Sequence, residues 1–101
     1  MSQKLELDLE AIKRLCQKHG IRELSLFGSV LREDFESESD VDVLVQFEPG
    51  VETGLLGYCR VLEDLEALFG RRVDLVTPGA LSPYLKDRIL ASRQVLYVSG
   101  A

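Results

Sequence analysis

The sequence predicts an α/β domain built on a small mixed sheet of about four strands covered by helices. Three observations carry that prediction. Stretches with apolar residues at helical spacing alternate with short apolar runs of strand length. Glycine, proline and serine punctuate the junctions between them. No stretch is repetitive, low in complexity or linker-like, so residues 1–101 read as one domain.

The elements follow in order. Residues 1–7 form a lead-in. From Asp8 the pattern turns helical, with Leu9, Ile12, Leu15, Cys16 and His19 on one side. Asp8 is the expected N-cap and Gly20 the expected stop. Ile21 to Phe27 reads as the first strand, Ser29 to about Asp34 as a short helix or turn, and residues 35–39 as a polar loop. Val41 to Phe47 is the second strand, and its nearly continuous apolar character predicts cover on both faces. Glu48-Pro49-Gly50 ends it. A long helix runs from about Gly54 to Phe69, with Leu55, Tyr58, Cys59, Leu62, Leu65 and Phe69 as its stripe, widened by Val61 and Leu68. Val73 to Thr77 is the third strand, stopped by Pro78-Gly79. Ser82-Pro83 opens the last helix with a capping hydroxyl and a proline at the first helical position. Val95 to Val98 closes the chain as a final short strand.

Chemistry concentrates between residues 26 and 46. The first strand ends in Gly28-Ser29. After ten further residues, Asp40 and Asp42 stand at the head of the second strand. Residues i and i+2 of a strand share a face, so these carboxylates lie about 7 Å apart at the backbone. Like charges this close repel unless a cation lies between them, and a hard divalent ion such as Mg²⁺ suits oxygen ligands. Gly28 lets the backbone turn sharply and approach a ligand closely. The N–H groups that open the following helix favour an anion, and Ser29 adds a hydroxyl. Asp74 sits inside the apolar run Val73-Asp74-Leu75-Val76, where a lone carboxylate is costly unless paired or ligating; the alternative is an edge-strand acid facing solvent. If its strand lies beside that of Asp40 and Asp42, the three acids converge. An anion cradle facing carboxylates and a metal is what phosphoryl or nucleotidyl transfer requires. Two acids at a strand entrance are by themselves an ordinary surface feature; the Gly28-Ser29 pair at this spacing is what makes them informative.

This pattern, Gly28-Ser29 followed at a fixed distance by Asp40 and Asp42, resembles the signature of the polymerase-beta-type nucleotidyltransferase superfamily. The resemblance is closest to its small prokaryotic branch, the minimal nucleotidyltransferases that pair with HEPN-domain proteins as antitoxins, and it covers nearly the whole chain. It implies the polymerase-beta-type fold. It implies transfer of a nucleoside monophosphate, AMP from ATP, to a hydroxyl, with Mg²⁺ held by Asp40, Asp42 and Asp74. It implies that Asp74 also serves as general base, and that Gly28 and Ser29 cradle the nucleotide's phosphates. Arg32 matches an arginine frequent in this branch, placed to reach a phosphate or the partner. The implied acceptor is a tyrosine of a HEPN-type ribonuclease, which modification would silence. A different class of function stays open: a non-catalytic binding module that neutralises such a partner by occlusion.

Composition sets the outer limits. The formal net charge of −5 argues against a general nucleic-acid binder; it first of all keeps a small domain in solution, and it would also suit a basic protein partner. The chain leaves no room for a second helical domain, so part of the substrate pocket is expected to come from another chain or to stay open, and a homodimer is compatible with this. Cys16 and Cys59 lack metal-ligand spacing and read as buried free thiols. His19, the sole histidine, ends the first helix, where the helix C-terminus favours it. Lys86, Arg88, Arg71 and Arg72 read as solvated faces. No apolar run is long enough to span a membrane, and the expected compartment is the cytoplasm.

Overall fold

A computed structural model describes residues 8–28, 40–51 and 53–99. The expected helix or turn after Gly28, the loop at residues 35–39, and the site candidates Ser29 and Arg32 lie outside them. The described chain runs α1 (Leu9–His19), β1 (Ile21–Phe27), β2 (Val41–Phe47), α2 (Leu55–Phe69), β3 (Val73–Val76), a 3₁₀ turn (Pro78–Ala80), α3 (Pro83–Ser92) and β4 (Gln94–Val98). The sheet has the order β3-β2-β1-β4. β1 is antiparallel to β2 and to β4, whereas β2 and β3 are parallel. The mixed four-strand sheet expected from the sequence is thus present.

Local chemistry starts and stops these elements as anticipated. The Asp8 carboxylate accepts the Ala11 N–H at 3.1 Å and caps α1, and Gly20 closes it in the left-handed region. Ser82 caps α3 by accepting the Leu85 N–H at 3.3 Å, with Pro83 following. Gly54 is the N-cap of α2 and lies just outside the helix.

Alternation along the strands divides the core. Val41, Val43 and Val45 face one side and are fully buried there against Ile12 and Cys16 of α1 and Val61 and Leu65 of α2. Each such aliphatic side chain contributes about 1.5–3 kcal/mol of transfer free energy. Asp42 and Leu44 face the other side. There Leu44 and Ile89 are buried apart from the main cluster. α3 joins β3 to β4, which run in the same direction at opposite edges of the sheet. A right-handed crossover therefore places α3 on the face opposite α2. Arg93, just after α3, fastens this junction by donating to Glu23 of β1 at 3.1 Å and to the Leu90 carbonyl at 2.6 Å.

Two expectations about α2 require correction. Its buried stripe runs through Val61, Leu65 and Phe69, with Tyr58 and Leu62 partly buried beside it. The stripe is turned toward Val61, so Leu55 in the first turn is 81% exposed and the Cys59 thiol faces solvent. Only Cys16 is a buried thiol, and burial pushes its pKa up to about 12. His19 also does more than interact with its own helix end. Its Nε2 lies 2.7 Å from Asp64 Oδ2 of α2, and Lys18 donates to the same oxygen at 3.2 Å. No helix among the described residues is long and apolar enough to cross a membrane.

The Asp64 contacts tie α1 to α2 and carry a pH signature. The hydrogen bond from His19, and then Lys18, holds the Asp64 carboxyl below its ordinary value of 3.8. A lowered acid stabilises the fold above that value, and the contribution is lost as pH falls through the folded value. Asp64→Asn is expected to lower the thermal midpoint by a few degrees at neutral pH, since a partly exposed pair is worth less than about 1 kcal/mol. Melting curves across pH should show the gap between variant and wild type closing below pH 3.8.

Candidate active site

The parallel pairing of β2 with β3 organises the site. Its register sets Val41 opposite Val73, Asp42 opposite Asp74, and Val43 opposite Leu75. Directly opposed residues share a face, so Asp42 and Asp74 stand side by side on the side of the sheet away from α2, at its β2 N-terminal end. The valines and Leu75 turn into the core while the acids turn out: Val41 and Val43 are fully buried, Asp42 is half-buried and Asp74 is exposed. The sequence expectation that the strand of Asp74 lies beside the strand of Asp42 is met.

Gly28 approaches this pair from the other neighbouring strand. β1 is antiparallel to β2, and Phe27 is the register partner of Asp42. The next residue is therefore delivered beside that carboxylate. Gly28 has φ +73°, a conformation that side chains rarely adopt, and a Cβ built there would collide with Asp42 Oδ2 and lie 3.1 Å from its Cγ. The positive φ and the close packing of the Asp42 carboxylate against its backbone both favour glycine at this position.

Asp40 is exposed and immediately precedes β2. The ladder that fixes Asp42 opposite Asp74 begins at Val41, so strand pairing does not hold Asp40. Among the described residues no group of three metal-capable side chains gathers closely enough to hold an ion. The pair is formed, and the three-acid cluster expected from the sequence is not drawn together. The donor chemistry nonetheless fits a hard divalent cation: the candidates are all carboxylates, and the bare Gly28 backbone packs directly against one of them.

α2 closes over the outer side of β3. Glu66 Oε2 accepts the Val73 N–H at 3.0 Å, and the Tyr58 hydroxyl donates to the Leu75 carbonyl. The Tyr58 phenol is pushed up from its ordinary value by burial, and further by the negative charge of Asp74. Sequence reading placed Tyr58 only in an apolar stripe and gave Glu66 no role. The available signal was the tyrosine itself, because a hydroxyl in an otherwise apolar stripe needs a partner.

A mixed sheet that sets paired acids beside a tight glycine bend is the framework of a nucleotidyltransferase. Residues 9–96 match the family described as nucleotidyltransferase domain, and the chain belongs to that family. Within it the chain falls in the minimal branch. It is 36% identical to a solved structure provisionally assigned as a minimal nucleotidyltransferase, with a TM-score of 0.69, covering 87% of this chain and 95% of that one. It is 42% identical over 86 residues to the protein adenylyltransferase MntA of Thermococcus cleftensis, covering 85% of this chain and 83% of that protein. The fold also matches a chain from the complex of a tri-AMPylated Shewanella oneidensis HEPN toxin with an MNT antitoxin. That likeness has a TM-score of 0.62 at 20% identity and covers 90% of this chain and 70% of that one.

The glycine constraint gives a direct test. Gly28→Ala is expected to lower stability by about 1–2 kcal/mol for the left-handed backbone alone. The displaced Asp42 carboxylate is expected to cost more than tenfold in turnover of the folded variant, a loss that denaturant melts and transfer assays on the same preparation would separate.

Proposed function

We propose that this chain is a Mg²⁺-dependent protein adenylyltransferase that moves AMP from ATP to a tyrosine hydroxyl of a HEPN-domain partner and thereby acts as an antitoxin. The observation that carries the reading is the juxtaposition of Asp42 and Asp74 across a parallel ladder, with Gly28 held against Asp42. Two relationships support it. A relative 42% identical over most of both chains is named a protein adenylyltransferase. A structure of the same fold comes from a complex that contains an AMPylated HEPN toxin.

In this reading Asp42 and Asp74 hold the metal, and Asp40, which strand pairing leaves unheld at the entrance to β2, would turn in to complete the set. When bound, Mg²⁺ offsets negative charge on the triphosphate and on the reacting α-phosphate. Gly28 and Ser29 present backbone N–H groups, and Ser29 its hydroxyl, to the phosphates, while Arg32 reaches a phosphate or the partner. The acceptor oxygen attacks the α-phosphorus and the bond to the pyrophosphate oxygen breaks. The hydroxyl proton passes to the Asp74 carboxylate, which is exposed and so open to an incoming acceptor. The chain would act as a single domain in the cytoplasm, with the partner completing the substrate pocket.

The competing reading is a binding module that silences the same partner by covering it. Incubation with α-labelled ATP, Mg²⁺ and the HEPN-domain partner separates the two. Label should pass to the partner with the wild-type chain and fall at least about 10³-fold with Asp40→Ala/Asp42→Ala or with Asp74→Ala. A partner that stays unlabelled yet inhibited would establish occlusion instead, and would overturn the transferase reading.

A further inference from the structure

We propose that Glu66 and Tyr58 of α2 clamp the outer edge of β3 and thereby position Asp74 opposite Asp42 for the transfer reaction. The inference deepens the proposed function and rests on its reading of Asp74 as a residue of the site.

β3 has only four residues and lies at the edge of the sheet. Short edge strands are the parts of a sheet that open most readily, because one row of their backbone groups has no strand to pair with. Along a strand these groups point alternately to the two sides. The Arg72 carbonyl accepts the Val41 N–H at 2.9 Å, so Arg72 and Asp74 turn their backbone toward β2. Val73 and Leu75 then turn theirs outward, away from the sheet.

The outward groups are the ones that α2 takes. Glu66 Oε2 accepts the Val73 N–H at 3.0 Å, a charge-assisted bond, and the Tyr58 hydroxyl donates to the Leu75 carbonyl. The Asp74 backbone is therefore held from both edges: β2 pairs with it on the inner edge, and the residues before and after it are fastened to the helix on the outer edge. Both fastening side chains are half-buried on α2, whose Val61, Leu65 and Phe69 are anchored in the core. The clamp thus passes the rigidity of the core to a strand too short to supply its own. It also fills hydrogen-bonding positions that another strand would otherwise occupy.

Neither residue touches the reacting atoms, so both are positioning residues. Groups that orient a ligating side chain typically cost 10- to 100-fold in activity when removed, about that range being expected here. Tyr58→Phe removes only the hydroxyl. Glu66→Ala removes the acceptor, while Glu66→Gln keeps a carbonyl oxygen able to receive the same N–H.

The experiment measures AMP transfer from labelled ATP to the HEPN-domain partner for Tyr58→Phe, Glu66→Ala, Glu66→Gln and Asp74→Asn. Amide hydrogen exchange of the chain alone supplies a readout independent of turnover. The expected result is a kcat lowered about 10- to 100-fold in Tyr58→Phe and Glu66→Ala with KM for ATP changed less than about twofold. Glu66→Gln should recover most of the loss, and exchange at Val73 to Leu75 should rise about tenfold or more in Glu66→Ala. If Asp74→Asn abolishes transfer while Tyr58→Phe and Glu66→Ala turn over like wild type, the clamp is refuted and the site reading survives. Equal impairment of Glu66→Gln and Glu66→Ala also refutes the clamp, because charge and not the accepting oxygen would then be at work. If Asp74→Asn transfers like wild type, the reading of Asp74 falls, and the inference falls with it.

Discussion

Two carboxylates directly opposite each other on neighbouring strands are the constraint around which this domain is built. Like charges in that position oppose strand pairing, and nothing about Asp42 and Asp74 in isolation would bring them together. They meet because the residues on either side of them do. Val41, Val43, Val73 and Leu75 alternate with the acids and are buried on the reverse face of the same two strands. A slip of β3 by one residue would expose Val73 and Leu75 and bury Asp74. Hydrophobic burial on one face thus enforces electrostatic crowding on the other.

The remaining elements can be understood by what they do for that ladder. β1 lies on the far side of β2 and ends where Asp42 begins, which delivers Gly28 to the carboxylate. α2 carries the chain from the end of β2 back to the start of β3, as a parallel connection requires. Its inner residues form the core, two of its polar side chains hold the edge of β3, and Asp64 ties it to α1 through His19 and Lys18. One helix therefore couples three layers of the structure to the position of one acid.

Much of this was legible before any coordinates. The caps at Asp8 and Ser82, the nearly continuous apolar run of Val41 to Val45, and the spacing from Gly28 to Asp42 are local patterns, and local patterns survive into the fold. The acid in the run Val73 to Val76 stood out because burial there would be costly, but β3 lies at the sheet edge and leaves Asp74 exposed. The unread features depend on where a helix comes to rest. Leu55 and Cys59 fit an apolar stripe by spacing, but α2 is rotated on the sheet by its packing around Val61 and leaves both exposed. The contacts of His19 with Asp64 and of Glu66 with Val73 join residues whose proximity is a product of the tertiary structure. That Asp40 stands before the ladder, outside its control, could not be read from an i, i+2 pattern, which treats both acids as equally held.

The parallel junction of β2 and β3 has a consequence for how the molecule comes into being. Strands in this relation cannot meet until the segment between them has been made and folded back, whereas the β1–β2 pair needs no helix to return the chain between its strands. A nascent chain that stops short of Val73 already carries Gly28 and Asp42 with nothing opposite them. The pairing of Asp42 with Asp74 is thus a late product of folding, complete only once the segment through Val76 has been made and has returned to β2.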